Sequence, residues 1–276
     1  MTADAIKTMK LYSAVDRIHD DLADAGYGRQ DPLTLDVLTR FDQLHYFGTE
    51  AVDEAVAAIR PPQGGRILDI GSGFGGPARW FADRTATTVA AVELQPDMND
   101  AAASLTARTP IRGKVEHVCG DILDVALPAA SHDGAISYLA LYHIPGRAPL
   151  FPRLHATLKP GATLYIEDLY MRAPLNPEEA ELMRDALYSN TLPDQAGYIA
   201  ELEDAGFTAI DFQDMSAPWG TFCAERLAAF RAASDHKVAV HGPDTVEALD
   251  FFYATICRLF DGGRLGGTRI IARKPD

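Results

Sequence analysis

Residues 66–76 read RILDIGSGFGG, a short apolar run carrying Asp69 near its end and followed by Gly71, Ser72, Gly73, Gly75 and Gly76. Three further apolar runs end in acids: VAAVEL with Glu93, VEHVCGD with Asp121, and TLYIEDL with Glu167 and Asp168. In an open α/β sheet the ligand crevice lies outside the carboxyl ends of the strands. Carboxylates accept hydrogen bonds and donate none, so acidic strand ends suit a ligand that is cationic and rich in N–H and O–H groups. They oppose a pyrophosphate, which needs helix N–H groups and positive potential. Gly71, Gly73 and Gly76 do satisfy G-x-G-x-x-G, and Glu93 follows about 20 residues on, as in a dinucleotide fingerprint. Asp69 and Asp121 count against that reading, and a NAD-dependent oxidoreductase with a Rossmann domain stands as the alternative.

The segments LDIGSGFGG, AVEL, CGDI, YLALYHI and LKPGATLYIEDLY follow one another in this order. The chain thereby resembles the class I S-adenosylmethionine-dependent methyltransferases, in particular the small-molecule branch with the sarcosine/dimethylglycine, phosphoethanolamine, sterol and ubiquinone-pathway enzymes. The resemblance runs from about residue 43 to 169 and returns at GGRLGGTRIIARKP. It implies S-adenosyl-L-methionine as cofactor, whose sulfonium, ammonium, ribose diol and adenine amine offer a cation or donor for each acid. The expected activity is methyl transfer to a small-molecule acceptor by in-line displacement. A small-amine N-methyltransferase of the dimethylglycine type is a narrower form of that reading.

By the same resemblance Asp69 serves the cofactor's amino-acid end, and Gly71, Ser72 and Gly73 let the backbone approach the ligand. Glu93 would accept from the ribose diol, and Asp121 with Ile122 would hold the adenine, Leu94 and Met98 packing its other face. Gln43, His45 and Tyr46 match the stretch that meets the methionine portion. Ser137 and Tyr138 would touch the cofactor, Tyr138 being also a catalytic candidate, and His143 would orient a water or act as base. Leu139 stands where betaine- and phosphobase-forming relatives tend to carry an aspartate, so the expected acceptor is apolar or zwitterionic. An aromatic cage of Tyr12, Tyr188 and Trp219 would be a substitute route to an amine. Arsenic methylation is not expected, because Cys119, Cys223 and Cys257 lack the spacing.

Positioning these residues takes alternating elements. Strands are expected near 66–70, 88–93, 114–118, 133–138 and 162–168, then at FTAIDFQDM and GTRIIARK. Helices lie between them: 49–60 with Thr49 as N-cap, one opened by Pro96 and Asp97, one ended by Lys159, Pro160 and Gly161, and 194–207 ended by Gly206. Such alternation means a doubly wound, mostly parallel, Rossmann-like seven-stranded α/β sheet. RAPLNPEE reads as a polar loop, and helical stretches are expected at 224–234 and 243–261. The organisation is a helical N-terminal cap, 1–60, and a core, 61–276, with lid insertions at about 170–193 and 215–264.

Composition sets outer limits. The 276 residues are 47% hydrophobic and 23% charged, as in an ordinary globular protein, with a formal charge of −14. That charge argues against nucleic-acid or anionic-membrane partners, whose phosphates need basic patches. Arg258, Arg264, Arg269, Arg273 and Lys274 read as solvated surface. Three dispersed cysteines indicate neither a disulfide framework nor a metal site. The N-terminus lacks a signal peptide's apolar core and no run is long enough to span a membrane. The expected setting is therefore cytoplasmic, with the oligomeric state left open, a homodimer included.

Overall fold

The apolar runs RILDI and TVAAVE form β1 (Arg66–Ile70) and β2 (Thr88–Glu93), and almost all of their side chains are buried. Continuous burial is the mark of a strand covered on both faces. The chain continues through β3 (Lys114–Cys119), β4 (His132–Tyr138), β5 (Leu158–Met171), β6 (Thr208–Asp214) and β7 (Leu265–Arg273). These make one sheet in the order β3-β2-β1-β4-β5-β7-β6, with β7 antiparallel to both neighbours. The structure is a computed structural model and describes residues 15–189 and 192–276. The order reverses between β1 and β4, and the crevice beside the glycine turn is that switch point.

The described helices are α1 (Arg17–Asp24), α2 (Leu35–Leu38), α3 (Thr49–Ile59), α4 (Gly76–Thr85), α5 (Pro96–Ala107), α6 (Leu150–Thr157), α7 (Pro177–Asp185), α8 (Gln195–Asp204), α9 (Ser216–Ala232), α10 (Ser234–His241) and α11 (Pro243–Asp261). One face of the sheet buries Leu150, Phe151 and Leu154 of α6 with Tyr198 and Leu202 of α8. The other buries Val52, Ala55 and Ile59 of α3 against Phe81 of α4. Ile18, Leu22, Leu33 and Leu38 pack with Phe74, Met98 and Leu105, so the N-terminal helices sit on α5 and the glycine turn. Trp219 of α9 and Ile256 and Leu259 of α11 form a cluster with Tyr46, Met183 and Leu187. Among the described residues no helix is long and apolar enough to cross a membrane.

Three local expectations change. Thr49 is the first helical residue of α3, with no side-chain cap; the chain enters through Phe47 and Gly48, at φ 58° and 53°. The fourth helix of the alternating series, α6, ends at Thr157, and Lys159, Pro160 and Gly161 belong to the start of β5. RAPLNPEE is only partly a loop: Asn176 caps α7, accepting from the Glu179 N–H at 2.9 Å while its own N–H donates to the Glu179 carboxylate. With Pro177 in the first turn, this is a complete capping box.

Candidate active site

The turn between β1 and α4 puts Gly71, Gly73 and Gly75 at φ 69°, 54° and 74°. A Cβ on Gly71 would lie 2.3 Å from the Ala140 Cβ, so the turn closes on the end of β4 only without a side chain. The N–H groups of Gly71 and Ser72 both donate to the Val92 carbonyl, at 2.9 and 3.0 Å. Gly73 N–H donates to Glu93 Oε2 at 2.9 Å, and Glu93 Oε1 accepts from Gln95 N–H at 3.0 Å. An N–H that a phosphate-binding glycine turn would offer to its ligand is thus taken by the protein's own carboxylate. This arrangement argues against a dinucleotide.

Above the turn lies a cavity of about 540 Å³, well within the range of small-molecule pockets. It gathers Gln43, His45, Tyr46, Asp69, Gly71, Ser72 and Gly73 with Glu93, Leu94, Met98, Asp121, Ile122, Tyr138 and His143. Asp69 Oδ2, Gln43 Oε1 and Gln95 Oε1 are buried there without a hydrogen-bond partner. Burial, helped by the charge of Glu93, pushes the Asp69 carboxyl up to about 8. Burial raises Glu93 as well, against the backbone N–H groups of Gln95, Gly73 and Leu94 that favour its charged form. Asp121 Oδ1 accepts from Leu123 N–H at 2.9 Å, which fixes the loop after β3.

His143 ends a single 3₁₀ turn, Leu141–His143, whose Tyr142 N–H donates to Asp168 Oδ1 at 3.3 Å. Its ring stacks on Tyr142 with centroids 3.9 Å apart and hydrogen-bonds the Tyr188 backbone. Burial lowers it to about 4, so the imidazole is neutral at neutral pH. His45 is lowered to about 4 for the same reason; its Nε2 lies 2.9 Å from the Gly48 carbonyl.

Several expected members are used elsewhere. Ser137 does not line the cavity; its hydroxyl, fully buried, donates to the Ile70 carbonyl at 3.0 Å and ties β4 to β1. The Tyr138 hydroxyl donates to the Ala51 carbonyl of α3 at 3.3 Å, so it is engaged on the helix side and only the rest of the residue forms cavity wall. In this structure that hydroxyl is thus committed to α3. Glu167 and Asp168 lie within β5, not at its tip. Glu167 pairs with Arg269 at 3.0 Å and accepts from the Tyr165 hydroxyl, while Asp168 accepts from the Tyr198 hydroxyl at 2.9 Å. Among the described residues, none from 170–189 or 192–193 lines the cavity; this stretch packs behind it on the Trp219 cluster. Tyr12 lies outside the described residues; of the other two expected aromatics, Trp219 is fully buried against Tyr46 and neither it nor Tyr188 lines the cavity.

The sequence reading missed the other side of the cavity. Arg17, Arg40, Arg226, Lys237 and His241 line it, together with Phe252, Tyr253 and Ile256. Phe222 and Arg226, one helical turn apart in α9, were a legible pair at i, i+4. Beneath, Arg79 of α4 is fully buried and donates to Asp42 Oδ2 at 2.9 Å and the Phe74 carbonyl, locking the 42–46 segment onto the glycine turn. Gly76 permits that contact: a Cβ there would lie 2.5 Å from the Asp42 carbonyl oxygen.

A family profile described as a methyltransferase domain matches residues 68–166. The chain is 27% identical to 24-methylenesterol C-methyltransferase 2 of Oryza sativa subsp. japonica, over 80% of this chain and 66% of that protein. It is 30% identical to phosphoethanolamine N-methyltransferase 1 of Arabidopsis thaliana, over 60% of this chain and 33% of that one. The solved phosphoethanolamine N-methyltransferase 2 of Haemonchus contortus, in complex with phosphomonomethylethanolamine and S-adenosylhomocysteine, superposes with a TM-score of 0.75 at 20% identity. That match covers 83% of this chain and 53% of the other. The chain therefore spans about two thirds of the rice relative and about half of the nematode one.

Proposed function

Because the chain belongs to the class I S-adenosylmethionine-dependent methyltransferases, we propose that it methylates a small-molecule acceptor held between the acidic strand ends and the helical roof. The observation that carries the reading is the pair Asp69 and Glu93: a buried, unpartnered carboxylate beside one that fills the anion site of its own glycine turn. When bound, S-adenosylmethionine supplies an electrophilic methyl group on a sulfonium leaving group. Asp69 and Gln43 would accept from its amino-acid end, Glu93 from its ribose and Asp121 from its adenine, with Leu94, Met98 and Ile122 on the ring faces.

The remaining work is positioning and exclusion of water, which can supply about 7–11 kcal/mol. Roof and floor share the 42–46 segment, so the residues that would meet the cofactor are continuous with those that would meet the acceptor. His143, neutral and buried, would take or orient the acceptor's proton, and Asp168 and the Tyr188 backbone hold it in place. The roof from α1, α9, α10 and α11 acts as a lid. Leu139, Ile144, Leu169 and Ile256 give the acceptor an apolar surround, with a leucine and no carboxylate at position 139.

Titration with S-adenosylmethionine and with NAD tests the cofactor, and transfer of a labelled methyl group from it into a metabolite extract tests the activity. Tight binding of the first and a labelled product are expected. Preferential binding of NAD, or cofactor binding with no labelled product, would overturn the reading.

A further inference from the structure

The cavity is electrostatically divided. Its floor holds Asp69, Glu93 and Asp121, whereas Arg17 of α1, Arg40, Arg226 of α9 and Lys237 of α10 line its roof. Among the described residues no carboxylate lies in ion-pair range of any of these four cations. The two acids on the same side are engaged: Asp21 with His241 at 2.9 Å, and Asp42 with Arg79. In a chain of net charge −14, four cations with no acid against them around one cavity run against the overall balance.

Arg226 is the most constrained of them. Its guanidinium stands over the rings of Tyr46, Phe222 and Tyr253 at 5.1, 5.2 and 5.0 Å, and its Nε is buried without a hydrogen-bond partner. Aromatic faces attract a cation, but they satisfy none of the directional N–H donors of a guanidinium, and a buried donor left unpaired is costly. Lys237 has its Nζ 5.7 Å from the Phe230 ring centroid on the neighbouring helix. The side chains of Phe230, Leu249, Phe252 and Ile256 make up an apolar wall beside the two cations.

We propose that the acceptor is an amphipathic anion, with its carboxylate or phosphate group at Arg226 and Lys237 and its apolar body against that wall. The assignment rests on the reading of this cavity as a methyltransferase site, and it narrows the acceptor class. A guanidinium forked onto a carboxylate or phosphate is the geometry for which arginine is chosen over lysine. Stacking on three rings pre-orders the side chain, so little rotamer freedom remains to be lost on binding.

The test is calorimetry on the full chain saturated with S-adenosylhomocysteine, using decanoate, decyl phosphate, decanol and decyltrimethylammonium below their micelle concentrations. The anions should bind at least about tenfold tighter than decanol, with the ammonium weakest. Whichever of decanoate and decyl phosphate binds tighter identifies the head group. Arg226→Met should bring the anions to within about threefold of decanol, Arg226→Lys should keep part of the preference, and S-adenosylhomocysteine affinity should stay unchanged in both. Should Arg226→Met misfold, Lys237→Met on the partly exposed α10 gives a second reading, with a reduced preference expected. Decanol or the ammonium binding as tightly as the anions, or an unchanged preference in these variants, would overturn the proposal. Failure of S-adenosylhomocysteine to bind would instead sink the methyltransferase reading.

Discussion

Asp69 should make cofactor binding a proton-releasing event. Its side chain is 1% exposed, its Oδ2 has no hydrogen-bond partner, and its carboxyl is pushed up to about 8, first by burial and then by Glu93. At neutral pH the free protein therefore carries a proton there, and a ligand ammonium pairing with the carboxylate must displace it. Each pH unit below that value weakens binding by about 1.4 kcal/mol, so affinity should rise nearly tenfold per unit from about pH 6 and flatten near 8. The stability sign is opposite: between about pH 4 and 8 the folded chain holds a proton the unfolded chain has lost, so Asp69 lowers stability as pH rises. Calorimetry of S-adenosylmethionine in buffers of different ionisation enthalpy counts the released protons, close to one at about pH 6.5. The ligand's own α-ammonium titrates near about 8, but equally for Asp69→Asn, so the difference between the two proteins isolates this carboxyl. Asp69→Asn should release no such proton and lose about 1.5–3 kcal/mol of affinity at about pH 8, the scale of a hydrogen bond to a charged group. Parallel pH slopes for the two proteins would refute the argument.

Glu93→Ala should weaken cofactor binding by about 1.5–3 kcal/mol in the same titration, since the turn also loses the acceptor for Gly73 N–H. His143→Gln should lower kcat by about a hundred- to ten-thousandfold with cofactor affinity unchanged, whereas Tyr138→Phe should keep kcat within about threefold, because that hydroxyl is committed to Ala51. With His143 at about 4, its contribution to kcat should be flat from neutral pH down to about 5; a break near 6.5 that vanishes in His143→Gln would show the imidazole to be solvated. His45, His117, His132 and His143 are each lowered to about 4, all first by burial. Unfolding exposes them to protonation, so their contribution to stability is lost as pH drops from about 6.5 to 4, against the opposite contribution of Asp69; in urea unfolding, His132→Gln should therefore gain stability relative to the parent chain as pH falls through that window.

Much of the sheet was legible because its inner strands β1, β2, β4 and β5 carry apolar runs bounded by turn residues and buried almost throughout, whereas the edge strands β3 and β6 are only partly buried. The glycine turn and Glu93 were legible because backbone geometry ties them to fixed spacing. The errors share a cause: they concern side chains whose partners lie far away in sequence. Glu167 and Asp168 look like strand-end acids until Arg269 and Tyr198 are placed beside them. Ser137 and Tyr138 sit at the right strand, but Ile70 and Ala51 claim their hydroxyls. The capping box of α7 was different: Asn176, Pro177 and Glu179 spell it locally, and its polarity hid a helix start inside an apparent loop. Of the roof cations only Arg226 had a local signal, its pairing with Phe222 on α9; Arg17 and Lys237 could not be read, since α1 and α10 meet only in the folded chain.

That meeting bears on how the site closes. Asp21 and Asp24 of α1 lie 2.9 Å from His241 and His236 of α10, so the N-terminal helices and the late insertion are joined across the mouth of the cavity. The same N-terminal stretch continues through Arg40 to Asp42, where Arg79 anchors it on α4 beside the glycine turn. The roof and the floor residues Gln43 and His45 are thus joined along one stretch of chain. Opening to admit an acceptor would loosen the segment proposed to hold the cofactor's amino-acid end, and seating the cofactor would brace the roof. Cofactor first, acceptor second is the binding order expected of this connectivity, because the 42–46 segment proposed to meet the cofactor is continuous with the Arg40 stretch that roofs the acceptor.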